Sequence, residues 1–170
     1  MNCQANSEAE AGFVYKVRVR YLDGTCTPYE ETHNLMPIES LNHMMGVTYK
    51  GVTQAPTWYI GLYEGNYTPV PTITAATIAA AATECTSYTP AQRVEFVEGA
   101  VANGAVDNSA SPAEFTFTAA KTIYGGFICS ASPHGAVTGV LGSAVKFASP
   151  KQVGIGDVLE VIAGNSLVSA

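Results

Sequence analysis

The sequence is poor in charge and has no excess of basic residues. Charged residues make up 13% of its 170 positions, about half the usual share, and 8 Lys and Arg stand against 14 Asp and Glu. A chain with a net charge of −6 lacks the cations that neutralise phosphates, so we expect no nucleic-acid partner. Its surface must be built from Thr, Ser, Asn, Gly and Ala. Such a surface is weakly repelled by other proteins and tolerates packing into an assembly.

Membrane-spanning and export segments are also missing. No run of about 18 apolar residues occurs, and the Ala-rich stretch 75–82 is too short to span a bilayer, so we expect no membrane partner. Residues 1–10 lack the basic and apolar blocks of a secretory signal, which predicts a chain made in a cytoplasm. The cysteines are far apart and form no C-x-x-C pair: Cys3, Cys26, Cys85 and Cys129. This spacing predicts four free thiols, no metal and no cofactor.

The sequence also lacks the common motifs of enzyme active sites. The sequence contains no G-x-S-x-G elbow, no P-loop and no H-E-x-x-H pair. Ser143 and Lys146 match the S-x-x-K pattern, but they lie in a predicted strand, where residues three apart point to opposite faces. The histidines are scattered over a strand end, a short helix and a turn: His33, His43 and His134. We therefore expect no catalytic residues and a protein that is not an enzyme.

The clearest pattern that is present is a strand with a charged outer face. Between residues 13 and 21 bulky apolar side chains alternate with polar ones, and the alternate face carries Lys16, Arg18 and Arg20. The Asp23-Gly24 pair predicts a two-residue hairpin turn with both residues at positive φ, which would place Lys16 opposite Glu31. The favoured interpretation of this basic row is therefore a solvated face with internal ion pairs.

The rest of the chain alternates short strands with one or two short helices. A first helix is predicted with Asn34 as its cap, Pro37 in its first turn and Gly46 at its end, burying a stripe of Ile38, Leu41 and Met45. An Ala-rich helix is predicted over 74–84, capped by Thr72 or Thr74. Further strands are predicted at 57–62, 93–98, 101–106, 114–118, 122–130, 137–147 and 157–163.

These segments predict an all-β chain of about eight strands, folded as an antiparallel, jelly-roll-like β-sandwich. We expect one sandwich domain over residues 13–170. Residues 1–12 are small, polar and acidic without periodicity, and we expect them to form an extended N-terminal arm.

Several runs resemble small structural proteins of tailed bacteriophages. The runs are 33–35, 39–47 and 57–63, followed by 93–99 and 106–113, and they include T-W-Y-I-G-L and N-S-A-S-P-A in order. The resemblance spans roughly residues 30–165. It implies a head decoration or cement protein on the outer surface of the phage head. Its partner would be the major capsid protein, and the family implies no catalytic residues.

A cement protein acts by burying surface across neighbouring major capsid subunits, which stabilises the DNA-filled head. We expect a homotrimer, because the sandwich edges need cover. In the assembly we expect Glu8 and Glu10 of the arm to meet a basic patch, or the row Lys16, Arg18 and Arg20 of an adjacent copy.

Two alternatives stay open. One is a tail-associated or receptor-binding β module, in which exposed aromatics of the Pro-rich loop region serve a host carbohydrate: Tyr63, Tyr67 and Tyr88. The other, ranked third, is a small jelly-roll hydrolase. A pocket that brings a histidine beside a carboxylate would favour it.

Overall fold

The structure, a computed structural model, describes residues 10–168. Within that range it has two helices and ten strands, in the order β1 (Glu10–Arg20), β2 (Glu30–His33), α1 (Ile38–Lys50), β3 (Tyr59–Tyr63), α2 (Ala75–Ala82), β4 (Tyr88–Thr89), β5 (Val94–Glu95), β6 (Ala105–Asp107), β7 (Ala113–Phe117), β8 (Lys121–Cys129), β9 (Leu141–Val153) and β10 (Val158–Val168).

The strands form two antiparallel sheets that pack face to face, which confirms the predicted sandwich. One sheet has the order β2-β1-β10-β7-β4, with β6 also pairing with β10, and the other has the order β5-β3-β8-β9. Alternate side chains of both sheets fill the space between them, as period-two burial requires. In β1 these are Tyr15, Val17 and Val19, each at most 2% exposed.

The turn between β1 and β2 differs from the prediction, although the predicted pairing of Lys16 with Glu31 is confirmed. Only Gly24 has positive φ, at 85°, because the loop has three residues rather than two. Arg20 then pairs with Cys26, and one extra residue on the returning side restores the register of a two-residue turn.

Some of the sheet edges are short or bridged within the chain. Leu35, just after β2, exchanges two backbone hydrogen bonds of 3.1 and 3.2 Å with Ala144 of β9, which joins the two sheets along one side. At the other side the edge strands β4 and β5 have two residues each. The edge strand β9 has 13 residues and is bridged at Ala144, so part of its edge stays open to pairing, and the homotrimer stays a prediction.

Helix α1 differs most from its prediction. It begins after Pro37, and Asn34 does not cap it but accepts the Phe13 N–H at 2.7 Å. It continues past Gly46 to Lys50 and ends at Gly51, whose φ of 66° forms the left-handed cap. The predicted buried stripe is wrong, because Ile38, Leu41 and Met45 are all exposed.

Helix α2 forms within its predicted range of 74–84, but it ends at Ala82. Thr74 is the N-cap, and its hydroxyl and that of Thr77 form a reciprocal capping box. Other boundaries shift: the strand predicted at 93–98 is reduced to the two residues of β5, and β9 and β10 are longer than predicted. Residues 1–9 of the predicted arm lie outside the described residues, and residues 10–12 belong to β1.

Candidate functional site

The basic row of β1 is paired with acids of the same chain. Lys16 Nζ lies 3.4 Å from Glu31 on the neighbouring strand, in an exposed pair. Arg18 Nε donates to Glu160 Oε2 at 2.7 Å, and Arg20 Nη2 donates to Glu114 at 3.1 Å. Each cation of the row therefore has an acidic partner within the sheet.

Glu160 is the centre of this network. It is 2% exposed and also accepts the hydroxyl hydrogen of Tyr29 at 3.0 Å, while Arg20 Nη1 lies 3.2 Å from its second oxygen. The Arg18 guanidinium stacks over the Tyr29 ring, 4.6 Å from its centre. Burial opposes ionisation of Glu160, but the hydrogen bonds from Arg18 and Tyr29 and the two Arg charges outweigh it and lower its pKa.

The predicted interaction residues are therefore only partly brought together. Glu8 lies outside the described residues. Glu10 begins β1 opposite Val168, six residues before Lys16, which separates their backbones by roughly 20 Å along the strand. Lys16, Arg18 and Arg20 each have an acidic partner within the chain. The contact of Glu8 and Glu10 with the row of an adjacent copy stays a prediction.

Helix α1 instead carries an exposed apolar face, which we call the α1 row: Ile38, Leu41, Met45 and Tyr49. These residues recur at spacings of three and four, so they share one face of the helix. They are 49%, 41%, 58% and 73% exposed, respectively. The opposite face packs inward through buried Ser40 and partly buried Met44. Helix α1 is thus apolar toward solvent as well as toward the sandwich.

Hydrogen bonds to other segments hold helix α1, and with it the α1 row, in a fixed position. Oε2 of Glu39 in the first turn accepts the N–H of Ala75 and the N–H of Leu141, both at 2.8 Å. These two bonds tie α1 to the start of α2 and to the start of β9. The Ile38 N–H also donates to the carbonyl of Pro71 at 2.9 Å. The exposed face is therefore held in place before any partner binds, which lowers the entropic cost of binding.

A cavity of about 450 Å³ lies on the inward side of α1, and we call it the Trp58 cavity. Its walls come from α1, the segment before β3, the segment after β5, and inward positions of β1 and β10. Phe13, Trp58 and Phe96 supply aromatic surface. Gly142 lets the Trp58 ring lie against β9, because a Cβ there would meet the ring at 3.1 Å.

Two residues that line the Trp58 cavity each carry a buried polar atom without a hydrogen-bond partner among the described residues: His43 Nε2 and Asn165 Oδ1. His43 also packs edge-on against Trp58, with ring centres 5.9 Å apart. Asn165 lies opposite Phe13 in the β1–β10 register, on the same face of the sheet. A polar group in such a position costs about 1–3 kcal/mol when nothing pairs with it.

The chemistry expected of a hydrolase is present only in part. Glu98 lines the same cavity as His43, so a histidine and a carboxylate do share one pocket. His43 Nε2 has no hydrogen-bond partner among the described residues, so Glu98 does not pair with the histidine through that nitrogen.

The S-x-x-K residues point to opposite faces, as predicted. Ser143 is buried and shares a 2.5 Å hydrogen bond with the Tyr15 hydroxyl. Lys146 reaches outward, with its Nζ 3.4 Å from the Thr68 hydroxyl. The two side chains do not meet.

The other two histidines lie apart from the cavity. His134 Nε2 is 2.9 Å from the Tyr88 hydroxyl, and burial lowers its pKa. His33 is exposed at the end of β2.

The tyrosines expected to be exposed for carbohydrate are mostly buried, so that expectation is wrong. Tyr63 is 0% and Tyr88 3% exposed, and only Tyr67 is partly accessible. The Tyr63 hydroxyl donates to the Val145 carbonyl at 2.6 Å, and Tyr88 packs edge-on against Phe115. These rings hold the sandwich together, as aromatic groups with a satisfied polar end commonly do.

The sequence reasoning did not identify Asn165 or the Trp58 cavity. The available signal was that β10 continues inward from Val161 and Ala163 to Asn165, which places an amide on a buried face. The predicted strand ended at residue 163, so the amide was not placed on a strand face.

Among the described residues, no cluster of three or more His, Cys, Asp or Glu side chains could hold a metal ion. No helix there is long and apolar enough to cross a membrane. No protein-family model matches the chain, and the search of curated proteins finds no match.

Proposed function

We propose that this protein is a virion structural protein of the decoration or cement type, which binds the outer surface of a phage head through the α1 row. The observation that carries the proposal is the exposure of four bulky apolar side chains on one face of α1, in a chain with few charges. Contiguous exposed apolar surface on a soluble domain is typical of a site that another protein covers. The resemblance of several runs to phage structural proteins supports the same class.

The energetics suit weak contacts repeated many times. Full burial of a Leu, Ile or Met side chain contributes about 1.5–3 kcal/mol. The α1 row can therefore contribute a few times that free energy to the binding of each protein molecule. Asn42, Thr48 and Lys50 of the same helix are exposed and polar. Many identical sites on a shell give an assembly high avidity even when each contact is modest.

The partner is the major capsid protein in this proposal, and its matching surface is apolar rather than acidic or basic. The basic row of β1 is neutralised by Glu31, Glu114 and Glu160, so charge does not steer the contact.

The homotrimer is a separate proposal, and sedimentation of the free protein tests it by measuring the oligomeric state. A strict monomer, both free and in the particle, would overturn it.

Electron microscopy of purified particles with a gold-labelled antibody tests the proposed function. We expect label over the head shell, and loss of label and of heat resistance in particles that lack the protein. Label confined to the tail would contradict the head assignment and support the tail-associated alternative. A particle preparation free of the protein would overturn both.

A further inference from the structure

We propose that the Trp58 cavity is a binding site for a small neutral apolar molecule of the size of an alkyl-substituted benzene. The cavity lies on the inward side of α1, whereas the α1 row faces outward, so this inference is independent of the proposed function. It rests on the size of the cavity, on its apolar walls and on its opening to solvent.

The cavity has the dimensions of a small-molecule site. Its volume of about 450 Å³ falls within the range of roughly 300–1,000 Å³ that is usual for such sites. Two of its wall residues belong to paired strands of the two facing sheets, since Phe13 lies on β1 opposite Asn165 and Ile128 lies on β8 opposite Ile60. The space is therefore formed before a ligand arrives, which lowers the entropic cost of binding.

The walls are largely apolar. Phe13, Trp58 and Phe96 offer ring surface, and Met44 and Ile128 add aliphatic surface. Apolar cavities in proteins admit hydrocarbons, because such molecules need no hydrogen bond from the walls. Aromatic bodies gain further from edge-on or offset contact with rings. The lining therefore favours an apolar, ring-shaped ligand.

The two unpartnered polar atoms near the cavity do not oppose such a ligand. His43 Nε2 and Asn165 Oδ1 are buried within the walls, so a molecule in the cavity does not contact them and does not change their hydrogen bonding. A nitrogen or oxygen of a ligand that lay against the apolar walls would instead give up its hydrogen bonds to water without replacement. Polar isosteres should bind more weakly for that reason.

The opening of the cavity gives a ligand a way in and disfavours charged molecules. Gln54, Glu98 and Val101 line the cavity and are exposed, so a ligand can enter without unfolding of the chain. Among the described residues of the lining, Glu98 carries a formal charge and no Lys or Arg is present. A charge of either sign would lose hydration on entry, and an anion would also meet the Glu98 carboxylate.

The chain has a built-in reporter for this site. Trp58 is the only tryptophan among the 170 residues, so its indole N–H gives a single resonance in a two-dimensional NMR spectrum of the isotope-labelled protein. Ile128 is a second reporter, because it lines the cavity and is 1% exposed. A ligand whose protons show a nuclear Overhauser effect to the Ile128 methyl groups must have entered the cavity.

The experiment titrates the full chain with p-xylene and, separately, with 2,5-dimethylpyrazine, which has the same shape but carries two ring nitrogens. We expect a saturable shift of the Trp58 resonance with p-xylene, and binding of the pyrazine weaker by about tenfold or more. The methyl protons of bound p-xylene should show Overhauser effects to Ile128 and none to Leu41 of the α1 row.

A variant that fills the cavity provides a further check. Val106 lines the cavity and is half-buried, so Val106→Phe places a ring in the space and should abolish the p-xylene shift. Val70→Phe, a matched change of an exposed valine that does not line the cavity, should leave binding unchanged.

Three results in the wild-type chain would each overturn the proposal: no saturable shift with p-xylene, equal affinity for the two probes, or Overhauser effects to Leu41 without any to Ile128. Undiminished binding by folded Val106→Phe would overturn it as well. Because the first three results need no variant, the test stands even if Val106→Phe fails to fold.

Discussion

Arg93 and Glu84 form a two-pronged ion pair that the fold removes almost completely from water. Arg93 Nε and Nη2 donate to the two carboxylate oxygens at 2.7 and 2.9 Å, and the side chains are 1% and 4% exposed. Nη1 donates to Cys129 Sγ and to the Ala131 carbonyl, both at 2.9 Å. The pair thereby ties the start of β5 to the end of α2 and to the loop after β8.

Breaking this pair should strongly destabilise the protein. Arg93→Met or Glu84→Gln leaves a buried charge without its partner, which costs about 3–5 kcal/mol in the free energy of unfolding. Chemical denaturation monitored by circular dichroism measures the loss. The exposed pair of Lys16 and Glu31 provides the control, because Lys16→Met should cost less than about 1 kcal/mol. Equal losses at the two pairs would contradict the structure.

Acid should weaken the fold partly through Glu160. The pKa of Glu160 is lowered in the folded chain, so the unfolded chain binds the proton more tightly. The stabilisation that the ionised Glu160 gives at neutral pH is therefore lost as the pH falls below 4.5, the ordinary pKa of a Glu side chain. Glu160→Gln should reduce stability at pH 7 and flatten the acid limb of a stability–pH curve. Tyr29→Phe removes one hydrogen bond that lowers this pKa, so the loss of stability in acid should be smaller and should end at a higher pH. An unchanged acid limb in Glu160→Gln would contradict this role.

The rate at which each cysteine thiol reacts should depend on how deeply it is buried. Cys26, Cys85 and Cys129 are free, which confirms the prediction for the described residues, whereas Cys3 lies outside them. Burial raises the pKa of Cys85 and that of Cys129. In the native protein a thiol reagent should therefore modify exposed Cys26 quickly and the two buried thiols slowly, and in denaturant without reductant it should count four. Modification of all at one rate, or a count of two, would be inconsistent with this arrangement.

The α1 row should contribute little to the stability of the isolated chain. Leu41→Gln and Met45→Gln replace exposed side chains, so each should change the free energy of unfolding by less than about 0.5 kcal/mol. Ile60→Ala serves as the contrasting core change, because Ile60 is 0% exposed, and it should cost about 2–5 kcal/mol. A large loss in the two surface variants would show that the row packs within the chain.

The strands were largely predictable, since alternation is a local signal. Val17 and Val19 point inward because every second residue of a strand must, and the pairing of Lys16 with Glu31 followed from a nearby turn even though the turn type differed. The partnership of Arg18 with Glu160 was not predictable, because 142 positions separate them and only the β1–β10 pairing brings them together.

Helix α1 illustrates the limit of periodicity. The spacing of Ile38, Leu41 and Met45 correctly predicts an apolar helix face, but it does not say whether that face meets the body of the protein or a partner. Here Glu39 and the backbone around Pro71 fix the rotation of α1, and both contacts are made to segments distant in sequence. The cavity on its inward side depends on the same long-range packing.

Binding of the purified protein to particles that lack it tests the role of the α1 row most directly. Sedimentation with such particles should carry down the wild-type chain, and Leu41→Lys with Met45→Lys should abolish this binding while the melting temperature stays within a few degrees of wild type. Ile155→Lys, which changes a still more exposed apolar residue in the turn between β9 and β10, should bind as the wild type does. Full binding by the folded double variant would contradict the proposal that α1 is the attachment face.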